Sequence, residues 1–283
     1  MVSEKIALLG KGMYDKIPNE LTLKSIPTAS ELEYVGAEEF DKTMLESIFP
    51  VAIEEFASKE LNPYDLLELD YRWICRCMRI VNYGPYFTTN ALYCPTCGKA
   101  SHGEFQVSLN TVDCIPFPEG FVNELKISRD EFIEFDGDVT LKLPTIQQIL
   151  IAYKDKAFVM KNGDINLELA RMCYMIQSIG TAKHMNPVEI KLMIQNKFSP
   201  ADYMLLRDAV NKMTDYGLRA GGKGQCPKCG SMEAGFMALS DDRFFRPSVG
   251  DLKRWKLDRV QRNETDPSGR KVDIPTGNPS GKV

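Results

Sequence analysis

Four of the eight cysteines fall in two copies of one pattern, Cys94-Pro95-Thr96-Cys97-Gly98 and Cys226-Pro227-Lys228-Cys229-Gly230. In a Cys-Pro-x-Cys-Gly knuckle a tight turn aims two sulfurs at one point, and the glycine permits a backbone conformation that a side chain resists. Each knuckle supplies half of a tetrahedral metal site. The first has local candidates to complete it, His102 and Cys114; the second has no Cys or His after Cys229, and the nearest upstream are His184 and Cys173. Sharing one ion among Cys94, Cys97, Cys226 and Cys229 solves this with four thiolates, the ligand set of a closed structural zinc. Closing the intervening chain as a flexible loop costs about 4 kcal/mol, against about 10–16 kcal/mol for zinc binding in small peptides.

Other chemistry finds less support. A redox Cys-Pro-x-Cys needs its first sulfur at a helix N-terminus after a strand, whereas here each pair runs into glycine and strand-like sequence. Cys75, Cys77, Cys114 and Cys173 sit among apolar residues and read as buried thiols, and Cys75 and Cys77 cannot share a helix face. With two histidines, no Gly-x-Ser-x-Gly, no phosphate-binding lysine loop and no dinucleotide glycine pattern, no reaction centre assembles. Four thiolates also leave no open coordination position, so the chain reads as a non-enzyme.

The elements that must position the knuckles give an α+β class: antiparallel strands, a split zinc ribbon and a helical insertion. Residues 1–87 read as a strand hairpin plus helices, the hairpin formed by 20–26 and 31–35. Met44 to Phe56 has helical spacing interrupted by Pro50, and Asn62-Pro63-Tyr64-Asp65 caps a helix expected to reach Ile80. On that helix Arg72, Arg76 and Arg79 form a row read as a solvated face with ion pairs, the alternative being a partner surface. Residues 88–118 with 218–245 make the split ribbon, and 119–217 are mostly helical, with helices expected over 145–157, 166–179, 187–197 and 200–216. Residues 246–283 read as an extended tail with a short helix near Trp255, and Phe244-Phe245-Arg246 either as a docking segment for a neighbour or, for the two phenylalanines, as the last core residues.

The chain has 283 residues, 43% hydrophobic and 26% charged, which is enough apolar content to form a core. A net charge of -4 gives no general pull toward polyanions, so nucleic acid is an unlikely partner. No secretory signal and no run of about 18 apolar residues is present, so folding is expected in a reducing cytoplasm without a membrane span.

The order of features, from Tyr64-Asp65-Leu66-Leu67-Glu68-Leu69-Asp70-Tyr71 with its arginines, through the Cys94/Cys97 knuckle, Pro116-Phe117-Pro118 and Leu143-Pro144-Thr145, to the second knuckle, resembles the baseplate hub assembly family of contractile-tailed, T-even-like bacteriophages. The similarity spans roughly residues 20 to 245. It implies a virion-assembly protein of the infected host's cytoplasm, retained in the tail baseplate or acting only during assembly. Its partners would be other tail or hub proteins, or a second copy of itself, and it would have no catalytic centre. The rival reading is a zinc-ribbon nucleic-acid-binding or transcription-related factor, with Lys99, Lys223 and Lys228 touching phosphate.

Overall fold

A computed structural model of the chain describes residues 3–30, 39–58, 60–183, 185–219, 221–237 and 248–265. Residues 31–35, His184 and the Phe244-Phe245-Arg246 segment lie outside these. The architecture is α+β, with antiparallel sheets and helices gathered around two apolar cores.

Strand β1 (Ser3–Ala7) pairs antiparallel with β2 (Glu20–Lys24), Ile6 opposite Leu21. This pairing gives β2 a partner that precedes it in the chain, and with it Ile6, Leu21 and Leu23 together enter the first core. Pro50 divides the next stretch as its ring requires: a wide turn at Met44–Ile48 gives way to a fresh helical turn, Phe49–Ala52, with the proline near its start.

The long helix α1 spans Glu68–Tyr83, so it begins later than Asn62 predicts. Asn62 caps only the turn Pro63–Asp65. Leu66 and Leu67 then run extended, because the Ile146 amide donates to the Leu66 carbonyl at 2.8 Å and the Glu68 amide to the Pro144 carbonyl at 3.1 Å. Of the arginine row, Arg72 is half-exposed and ion-paired as expected, Arg76 is half-buried, and Arg79 leaves the solvated face altogether. Arg72 pairs with the buried Glu68 at 2.5 Å. Arg79, 0% exposed, donates to the Gly84 and Tyr86 carbonyls, both at 2.7 Å, and so fixes the turn between α1 and the next strand.

Strands β3 (Tyr86–Cys94) and β4 (Lys99–Ser108) form a hairpin around the first knuckle. Short β5 (Cys114–Ile115) pairs with β10 (Gly217–Leu218), and β11 (Gly221–Gly224) pairs with β12 (Ala234–Met237). The sheet order is β11-β12-β3-β4, with β12 joined to β3 through the pair Gly235 and Tyr93. Phe87, Leu92, Val107 and Phe236 from this sheet share one core with Ile6, Leu21 and the inner face of α1.

The intervening segment carries a second four-stranded sheet as well as its helices. Its order is β6 (Leu125–Ile127), β7 (Val139–Leu141), β8 (Ile176–Ile179) and β9 (Ala182–Lys183). Helices α2 (Ile146–Ala152), α3 (Leu167–Met175), α4 (Pro187–Lys197) and α5 (Pro200–Thr214) accompany it. The helix expected to 179 stops at Met175 because Ile176 and Ile179 are buried as a strand against β7. Thr145, Asn186 and Ser199 each form a reciprocal capping box with the residue three positions on.

The short helix expected near Trp255 is present and longer than expected, α6 (Val249–Thr265), and it takes up the described part of the segment read as an extended tail. Ser248 and Asp251 cap it reciprocally, at 2.9 and 3.1 Å. Asp251, buried, also accepts from Thr88 and Gln106 of the first sheet at 2.9 and 2.8 Å. The Arg254 guanidinium lies 4.3 Å from the centre of the Tyr86 ring. Polar residues hold this helix down, which is why its low apolar content misleads. Among the described residues no helix is long and apolar enough to cross a membrane.

Candidate metal centre

Each knuckle hangs from a strand end. Cys94 closes β3, and Cys97 lies in the turn that leads to β4; Cys226 and Cys229 lie in the turn between β11 and β12. Gly98 and Gly230 adopt φ of +64° and +74°, and a Cβ at either would meet nothing within 4 Å, so conformation rather than space selects glycine. The antiparallel pairing of β12 with β3 then faces the two turns toward each other.

The four sulfurs of Cys94, Cys97, Cys226 and Cys229 all lie within 4.8 Å of one another. Cys94 Sγ is 3.6 Å from Cys229 Sγ, and Cys97 Sγ is 3.9 Å from Cys226 Sγ. Sulfurs at the corners of a tetrahedron with bonds of about 2.3 Å stand about 3.8 Å apart, so the spacing suits one metal ion. It is too long for disulfides, whose S–S bond is about 2.0 Å. Cys94 and Cys226 are buried, Cys97 is half-buried and Cys229 is exposed, so the cluster sits at the edge of the first core with one corner toward solvent.

The electrostatics point the same way. The Cys97 amide, bonded to the Cys94 sulfur, holds that thiol down at about 6, and the Cys229 and Lys228 amides hold Cys226 below its ordinary value. At Cys229 a bond from the Ser231 amide is outweighed by desolvation and the neighbouring sulfurs, which push it up to about 12. Four sulfurs this close cannot all ionise together unless a cation lies between them.

Contacts not foreseen from the sequence tie the knuckles directly. The Thr96 and Ser231 hydroxyls stand 3.0 Å apart, and Lys228 Nζ donates to the Ala100 carbonyl at 3.0 Å. The Cys226 amide donates to the Ser231 carbonyl at 2.7 Å, which closes the second turn. The only signal for these was the polar character of Thr96, Lys228 and Ser231 beside the cysteines. The alternative ligands lie elsewhere: His102 is exposed on β4 opposite Ala91, and Cys114 is on β5. Burial pushes the Cys77 and Cys173 thiols up to about 12, as suits inert core residues.

Comparison with protein-family models, with curated proteins and with solved structures finds no match to this chain.

Proposed function

We propose that Cys94, Cys97, Cys226 and Cys229 hold one structural zinc as a split zinc ribbon, and that the protein acts through protein–protein contacts as a tail or baseplate hub component or assembly factor of a contractile-tailed bacteriophage. The observation that carries the metal reading is the near-tetrahedral spacing of four sulfurs, 3.6 and 3.9 Å across the two pairs. Soft thiolates in that geometry favour zinc, and four of them leave no position for a substrate, so the ion serves as a clasp and the protein as a non-enzyme. The phage reading is supported by the order of motifs from Tyr64 to the second knuckle.

The nucleic-acid reading has less behind it. Lys223 is paired with Glu233 at 2.7 Å, and Lys228 is bonded to the Ala100 carbonyl, which leaves Lys99 as the one knuckle lysine of the three without such a bond among the described residues. Elemental analysis should find one zinc per chain, lost equally in Cys94→Ser and Cys226→Ser; two zincs per chain would refute the shared site. Affinity purification from infected cells should bring down hub or tail proteins, and their absence would sink the assembly reading.

A further inference from the structure

A cleft of about 540 Å³ opens on the first core, and none of the four clustered cysteines lines it. Its floor is one stripe of α1, Trp73, Arg76, Cys77, Ile80 and Val81, at helical spacing. One wall is Ile6 and its neighbours; the other includes Phe117 and Phe121.

The first wall is unusual for a strand. A strand that turns one face to a cavity contributes alternate residues, yet here Glu4 to Leu9 line the cleft consecutively, so β1 presents its edge. Among the described residues β1 has β2 as its single strand neighbour. The Leu8 amide donates to the Asn19 carbonyl at 2.9 Å, so even-numbered residues aim their backbone groups at β2 and odd-numbered residues aim theirs away. At the far end of that outer row the Ala7 carbonyl accepts from Trp73 Nε1 at 3.0 Å and the Leu9 amide donates to Asp70 at 2.6 Å. The Lys5 amide and carbonyl and the Ala7 amide remain on the open side.

Arg76 adds a half-buried cation to a cleft whose rim also carries Glu4, Glu20, Lys5 and Lys11. Its Nη2 donates to the Leu109 carbonyl at 3.2 Å and its guanidinium lies 5.1 Å from the centre of the Trp73 ring, but its buried Nε has no hydrogen-bond partner. Among the described residues no carboxylate pairs with it.

We infer that this cleft binds a short extended segment of another protein, which adds as a strand to β1 and places an acidic side chain on Arg76. Backbone pairing with Lys5 and Ala7 supplies register, the apolar walls take alternate side chains, and a carboxylate at the Arg76 guanidinium supplies a charge-assisted bond. The volume lies in the range of about 300–1,000 Å³ that encloses a compact ligand, so the captured segment is short. This deepens the protein-contact reading and rests on it, but needs neither the zinc nor the phage assignment.

A short-peptide library selected on the full chain tests it. Selected peptides should share an Asp or Glu flanked by apolar residues at alternate positions. Exchanging that Asp for Asn, or Glu for Gln, in the peptide should lower affinity about tenfold or more, as should Arg76→Gln, with Arg76→Lys between. Lys5→Pro, which deletes an outward amide and leaves the pairing with β2 intact, should weaken binding without changing metal content. The inference is overturned if no peptide is enriched over the Arg76→Gln protein, or if binding survives the neutral exchange in the peptide, a change that cannot misfold the protein. Peptide capture without hub co-purification would uphold the cleft and remove the phage assignment; co-purification without peptide capture would do the reverse.

Discussion

The two four-stranded sheets close in different ways. In β6-β7-β8-β9 the neighbours lie within about 60 residues of sequence, and Val139, Leu141, Ile176 and Ile179 bury together with Met172, Ile190, Leu206 and Val210 from the helices. In β11-β12-β3-β4 the joining strand arrives from more than 130 residues away, β11 reads Gly-Gly-Lys-Gly, and one residue pair links β12 to β3. The first of these sheets has side chains enough to hold itself by apolar burial. The second is joined by a single residue pair, and there the four sulfurs gather. A metal ion held by them would cross-link the sheet where its backbone pairing is thinnest.

Removing the metal should break this contrast most visibly. Chelation, or Cys226→Ser, should strip amide-exchange protection from 221–224 and 234–237 to near the unfolded rate while 139–141 and 176–179 keep theirs; uniform loss in both sheets would show that they are one cooperative unit.

The next effect concerns Asp70, which anchors the first core. Fully buried, it accepts from the Leu9 and Gly10 amides and from the Tyr14 hydroxyl at 2.5 Å, yet burial pushes it up from 3.8 to about 6. The folded state therefore keeps a proton that the unfolded state has lost between those values. The Asp70 contribution to stability should be full below about pH 4 and fall by about 3 kcal/mol as pH rises through 6, a slope that Asp70→Asn removes in denaturant titrations.

A smaller effect is expected where α6 meets the first sheet. Gly84 has φ +77° and a Cβ there would lie 2.3 Å from the Trp255 ring, so Gly84→Ala should cost about 1–3 kcal/mol and expose α6 to protease before either sheet.

The smallest and most local effect sharpens the other side of the comparison. Asp202 is as buried as Asp70 and occupies the same third position of its helix, but collects the Ile133, Glu134 and Phe135 amides and the Ser199 hydroxyl. Its burial opposes ionisation, but these donors outweigh it and hold its carboxyl below the ordinary value. Its contribution should be present above the usual carboxylate range and lost as pH falls through its lowered value, opposite in sign to Asp70. Asp202→Asn should speed exchange at those three amides about tenfold and leave the metal in place.

The gathering of Cys94, Cys97, Cys226 and Cys229 was legible because knuckle spacing, glycine and the lack of any local completion for Cys226 and Cys229 are all local facts. The capped helix starts at Asn186 and Ser199 were legible for the same reason. Non-local partners were not. The pairing of β1 with β2 carried no local turn signal, and it is the joint burial of Ile6 and Leu21 that brings the two together. Arg79 looks like its half-exposed neighbours Arg72 and Arg76 until the turn at Gly84 turns two carbonyls toward it. The start of α6 was written in Ser248-Val249-Gly250-Asp251, but a helix fixed by polar bonds to Thr88 and Gln106 carries no apolar stripe to announce it.

The pairing of β12 with β3 also sets a timetable. Chains leave the ribosome at about 5–20 residues per second, and domains usually fold in the order they are made. Here the hairpin made first must wait, with its inner edge uncovered, until the strand at Ala234–Met237 emerges. The sheet and helices made in between have every partner they need in hand before that. The middle of this protein is thus free to be finished before its beginning.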